Sequence, residues 1–232
     1  MSPVSNKVGG ERETATELHL PDPIERDDLG AFTARIVRLD QGALVRLRAV
    51  GERVVAWAPT PFDVLATRAV QGELRPADVT VSANELLATL TVVRGARVDP
   101  GSRLDERWLL ELPPTEGWRV VDNVPAAEFE SLAERGIALA KEHGGPHGTP
   151  PSGLLDQTVL TVASAVGMRV SVPLRCLFAL SGMGFLGAND SGLDDPERTS
   201  VVRVSATDSW LRLDARYGAV VRRRHALLPL VF

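Results

Sequence analysis

The densest chemistry in the sequence is a run of guanidinium groups near its C-terminal end, Arg222-Arg223-Arg224-His225, preceded by Arg212, Arg216 and Tyr217. Guanidinium forks grip phosphate oxygens in pairs, and a tyrosine ring offers a face on which a base can stack. On an extended strand Arg222 and Arg224 share one face and Arg223 takes the other, so the three do not form one contact surface. The same residues also make a charged sheet edge that resists pairing with other chains. With 30 acidic against 26 basic residues and a formal net charge of −4, the edge reading ranks above the phosphate site.

Other motifs assign no catalytic, cofactor-binding or metal-binding residues. Gly182-Met183-Gly184-Phe185-Leu186-Gly187 fits the spelling G-x-G-x-x-G, but a dinucleotide site needs a strand before the glycines and a helix after them. Here an apolar helical stretch precedes and a polar loop follows, so the glycines read as the end of a helix. His143 and His147 stand four apart, with Asp156 as a conceivable third metal ligand, but Gly144-Gly145-Pro146 lies between them and carries no carboxylate. They read as exposed loop histidines. Asn189, Asp190, Asp194, Asp195 and Glu197 form an acidic loop without the spacing of a calcium-binding loop. Cys176 sits among Leu174, Leu177 and Phe178, the setting of a buried apolar thiol. No serine lies in a nucleophile elbow or a Ser-x-x-Lys pair.

One cysteine in 232 residues cannot form an internal disulfide and suits a reducing compartment. No N-terminal signal pattern and no run of about 18 apolar residues is present. The expectation is a cytoplasmic protein without membrane contact. Charge is uneven: residues 1–30 hold three basic and seven acidic groups, whereas residues 200–232 hold six and two.

The elements that must position these groups follow from periodicity and turn signals. Residues 1–30 read as a disordered acidic tail. Residues 31–122 read as an antiparallel β-meander plus a helix, with strands at 33–39, 43–50, 53–58 and 64–70, the last preferred as a strand over a helix opened by Pro61. Glycines are expected to supply positive φ at the turns ending in Gly42 and Gly51. Ser82-Ala83-Asn84-Glu85 spells a capping box that opens a helix over 83–90. Residues 123–232 read as a helical region with C-terminal antiparallel strands. Its helices are placed from about Pro125 to His143, over 154–165 and over 173–183, and its strands at 200–205, 209–214 and 219–224. Three helices closed by a β-hairpin is also the order of a winged-helix unit.

A faint repeat aligns Leu44-Val45-Arg46-Leu47 with Trp210-Leu211-Arg212-Leu213 and Val54-Val55 with Val220-Val221. Generic strand-forming residues produce such matches by chance. The fold class is therefore α+β. The function expected is a non-enzymatic protein-interaction or scaffolding role with a protein partner. Nucleic-acid binding through the C-terminal basic strand stands second, and an enzyme with dispersed catalytic residues third.

Overall fold

The computed structural model describes residues 16–143, 151–187 and 200–224. Regular structure begins inside the segment read as a tail, with strand β1 (Glu17–His19) and helix α1 (Pro23–Leu39). The Asp22 side chain accepts from the Ile24 amide at 2.8 Å, Pro23 takes the first turn, and Glu25 adds negative charge at the positive end of the helix dipole. Leu29, Phe32, Thr33 and Ile36 then fall on one buried stripe. The strand expected at 33–39 is thus the second half of α1, and its β-branched residues are the packed face of a helix.

The meander follows as expected: β2 (Leu44–Val50), β3 (Arg53–Thr60) and β4 (Val64–Gln71), then β5 (Glu73–Arg75) and β6 (Asp78–Ser82). Gly51 has φ 60° at the β2–β3 turn. The turn before β2 is closed differently, by the Asp40 carboxylate accepting from the Gly42 amide at 2.8 Å. Helix α2 (Ala83–Val92) starts where the capping box placed it, but Ser82 makes no side-chain cap bond. Glu85 instead accepts from the Ser102 amide at 2.8 Å, so tertiary pairing has taken the carboxylate the box required.

After β7 (Arg97–Val98) a connection containing a 3-10 turn at Asp105–Arg107 leads to β8 (Arg119–Pro125), so a boundary at 122 falls inside a strand. Helix α3 (Ala126–His143) comes next. The helix expected over 154–165 is only one turn, α4 (Ser152–Leu155), followed by the hairpin β9 (Thr158–Ala163) and β10 (Arg169–Pro173). Thr158, Val159, Thr161 and Val162 favour the pleat, and Gly167 at φ 86° turns the chain. Helix α5 (Leu174–Gly182) and strands β11 (Val201–Ala206), β12 (Trp210–Ala215) and β13 (Gly218–Arg223) complete the described chain. The winged-helix order gives way: the interposed hairpin separates the helices, and the closing strands belong to a larger sheet.

That sheet has eight antiparallel strands in the order β6-β2-β3-β4-β13-β12-β11-β8. Its two halves meet where β4 pairs β13, with Thr67 opposite Ala219, Ala66 opposite Val220 and Leu65 opposite Val221. Each half contains a strand-helix-three-strand unit, β1-α1-β2-β3-β4 and β10-α5-β11-β12-β13. By sheet position β2 corresponds to β11, whereas the faint sequence repeat aligned β2 with β12. The topology repeats, and the sequence match is one strand out of step with it.

All four long helices lie on one sheet face, α1 beside α2 and α3 beside α5. Phe32, Phe129 and Phe185 are fully buried in the core they share with the sheet, each contributing about 1.5–3 kcal/mol by burial. Gly136 of α3 permits the closest approach: a Cβ there would lie 2.4 Å from Leu174 of α5. At the outer edge, β6 is not free to pair. The Leu104 amide donates to the Thr80 carbonyl at 2.7 Å, and the Thr80 amide donates to Asp105 at 2.6 Å. No helix among the described residues is long and apolar enough to cross a membrane.

Candidate binding groove on the open sheet face

Alternation along the strands sends one set of side chains towards the helices and the other towards the open face. On the open face Trp57, Leu65, Trp210 and Val221 form a second apolar cluster, against which Trp108, Leu112 and Trp118 of the connecting segment pack. The connection therefore straps across the junction of the two halves. Arg46 lies over the Trp108 ring at 6.0 Å and forms a two-point bond with Asp78 at 2.8 Å. That hydrogen bond raises the Arg46 pKa while burial pulls it down.

Beside the strap lies an open groove of about 680 Å³. Its floor crosses the β4–β13 junction through small residues, Thr67, Ala69, Gly218 and Ala219. One bank carries Arg48, Arg53 and Trp57, and the other Arg203, Arg212 and Asp214. Register aligns Trp57, Thr67, Ala219, Asp214 and Arg203 in a single row across five strands. Arg48 is paired with Asp78 at 3.1 Å and Arg212 with Asp214 at 2.7 Å. Arg53 makes only a 3.4 Å bond to the Ala69 carbonyl, and Arg203 has no ion-pair partner among the described residues. The Thr67 hydroxyl is buried and lacks a hydrogen-bond partner there.

The C-terminal arginines do not converge. Arg222 is buried on the helix side, its guanidinium 3.1 Å from Asp156 and 3.9 Å from Asp63. Arg223 lies on the open face over the Trp210 ring at 5.5 Å and paired with Glu111. Arg224 donates to the Thr207 carbonyl at 2.9 Å, and Arg216 covers the Tyr217 ring at 5.2 Å. Only Arg212 of that set lines the groove. A second, more apolar hollow of about 480 Å³ lies on the same face between Pro59, Leu110 and Trp210. Arg48, Arg53 and Arg203 escaped the sequence reading because they sit singly on different strands. The signal that could have found them is the alternation of Arg46, Arg48 and Arg53 with apolar partners along β2 and β3.

The remaining motifs fall elsewhere. Gly182 closes α5 and its carbonyl accepts from Arg38 of α1 at 3.1 Å, while Gly184 and Gly187 adopt φ 60° and 89°. The glycines end a helix, and Gly184 and Gly187 line a hollow of about 440 Å³ with Arg35, Arg38, Glu130 and Glu134. Asp156 is engaged by Arg175 at 2.7 Å as well as by Arg222. The His143 side chain, His147, His225 and the acidic loop 189–197 lie outside the described residues. Burial pushes the Cys176 thiol up to about 12, so at neutral pH it is an un-ionised core group.

Two family models match the sequence, each described as a domain of unknown function, DUF8010 over residues 13–110 and DUF8185 over residues 113–227. They meet within the strap. No curated protein matches. Among solved structures, the DNA polymerase sliding clamp of Bacillus subtilis superposes with a TM-score of 0.56 at 12% identity, covering 93% of this chain and 66% of the clamp. The DnaN sliding clamp of Bartonella birtlesii gives 0.55 at 12%, covering 92% and 66%. The pol III beta of Caulobacter crescentus gives 0.54 at 13%, covering 89% and 64%. At these identities the likeness is one of fold, and the chain spans just under two thirds of the length of these clamps.

Proposed function

We propose that this clamp-folded chain is a non-enzymatic interaction scaffold whose working surface is the open face of the sheet. The observation that carries the reading is the groove at the junction, to which both halves and the strap contribute side chains. A surface composed from both halves exists only when they are joined, which is what a scaffold must present. The fold shared with replication clamps supports a setting among DNA-replication proteins, in the cytoplasm, with protein partners.

A second reading, direct nucleic-acid contact, draws on the same fold likeness. Charge placement speaks against it. Helix α3 exposes Glu128, Glu134 and Glu142 against Arg135 and Lys141. Arg222 is sunk under Asp156, and Arg223 is occupied by Glu111. A polyanion needs one continuous basic surface, because each neutralised phosphate contributes about −0.9 to the log–log salt slope.

The test is affinity isolation of the tagged full chain from its own cells after cross-linking. A protein partner is expected at fixed stoichiometry, released by Arg203→Glu and Leu110→Glu on the open face and retained with Glu134→Arg on α3. Retention with all three variants, recovery of the bare chain with turnover of a metabolite, or sub-micromolar duplex binding at 150 mM salt, a roughly physiological ionic strength, overturns the proposal.

A further inference from the structure

We propose that the junction groove is a binding site for an acidic linear peptide segment of a partner protein, a proposal that rests on the scaffold reading and names the chemistry of its partner. Charge complementarity selects the occupant. Among the described lining residues Asp214 is the single carboxylate, and it is already held by Arg212. Arg48 is held by Asp78 and Arg68 by Asp28. This leaves Arg53 on one bank and Arg203 on the other as guanidinium groups without a carboxylate partner. Arg203 lies four strands from Trp57, and Arg53 lies four residues along β3 from that same Trp57. With strands about 4.8 Å apart and residues about 3.3 Å apart along a strand, the two banks stand about 23 Å apart on the diagonal, a span of about seven extended residues.

The floor between the banks suits a peptide. Thr67, Ala69 and Ala219 are small side chains on this face, so a chain crossing them can approach the sheet closely. The Thr67 hydroxyl is 3% exposed at the residue level and lacks a partner. An unmade bond of this kind is unfavourable by about 1–3 kcal/mol, and a peptide carbonyl or carboxylate at the floor can supply it. Single-stranded nucleic acid fits less well, because it needs free aromatic faces for stacking. The Trp57 ring is buried against Leu65, Trp210 and Val221, and Trp118 packs on the same cluster with its indole N–H donating to the Pro114 carbonyl at 2.9 Å.

Fluorescence anisotropy on the full chain tests this with three labelled probes: a decapeptide carrying four glutamates among serines and leucines, its lysine counterpart, and a ten-nucleotide oligothymidylate. The glutamate peptide is expected to bind, more weakly as salt rises. Replacing both free arginines, Arg53→Ala with Arg203→Ala, is expected to weaken it at least about tenfold, through loss of two charge-assisted bonds. Thr67→Val is expected to weaken it several-fold without lowering the unfolding midpoint, because the substitution removes an unsatisfied hydroxyl. No binding of the glutamate peptide, equal binding of the lysine peptide, preference for the oligothymidylate, or unchanged affinity in the double variant overturns the proposal. If the peptide fails while the isolated partner still depends on the open face, the groove assignment falls and the scaffold reading stands. If no partner depends on that face, the scaffold reading falls as well.

Discussion

At the scale of single residues, Asp156 carries more than its place in a surface loop suggests. One of its carboxylate oxygens accepts from Arg175 at 2.9 and 2.7 Å and from Arg222 at 3.1 Å, and both arginine side chains are at least nine-tenths buried. Arg175 also donates to the Phe62 carbonyl at 2.7 Å, so the cluster ties α5 and β13 to the turn before β4. Removing the carboxylate leaves two cations short of their principal acceptor. Asp156 is itself half exposed, which moderates the loss through solvent screening. Asp156→Ala is expected to cost about 2 kcal/mol and lower the thermal midpoint by about 4–8 °C. An unchanged midpoint in a thermal melt would show that Phe62 and Asp63 suffice to hold Arg175.

At the scale of elements, the two helix starts in the first half make a paired comparison. Asp22 caps α1 through a real side-chain bond, whereas Ser82 at the start of α2 makes none. Asp22→Ala is expected to cost about 1 kcal/mol and Ser82→Ala less than about 0.5 kcal/mol, read from urea midpoints. Equal losses would restore the capping box. The same pair shows how legible the fold is in the sequence. Asp22-Pro23-Ile24-Glu25 is as good a start signal as Ser82-Ala83-Asn84-Glu85, yet polar composition before residue 30 obscures it. The strand meanders are legible because alternation and turn glycines agree there, as at Gly51. Thr158–Ala163 is misread because an apolar run of six fits either period, and its β-branched content decides for the strand. The groove is the least legible feature. Arg53 and Arg203 lie 150 positions apart in the chain, and only the β4–β13 pairing, which no local pattern encodes, brings their faces into one surface.

At the scale of the whole molecule, the eight-stranded sheet is continuous across two units that share a topology, and the strap of residues 99–118 crosses the junction on the open face. The halves also touch on the helix side, where Phe32 of α1 stacks on Phe185, just past α5, at 6.4 Å and Phe62 of the β3–β4 turn lies edge-on to Phe178 of α5 at 5.8 Å. The two ends of the sheet are not alike. At β6 the Thr80 amide and carbonyl are both engaged by residues 104 and 105, whereas among the described residues β8 has a strand neighbour on one side only. In terms of symmetry, head-to-tail addition needs two different free edges, and it alone generates rings or open filaments. A sheet with one end stoppered admits a single edge-to-edge event, a two-fold pairing of β8 with its own copy, after which no edge remains. Sedimentation velocity across a wide concentration range is expected to show monomer, or monomer and dimer, with no larger species. A ring or ladder of oligomers would mean that the Leu104–Asp105 stopper opens, and Asp105→Ala is the substitution that should then promote it.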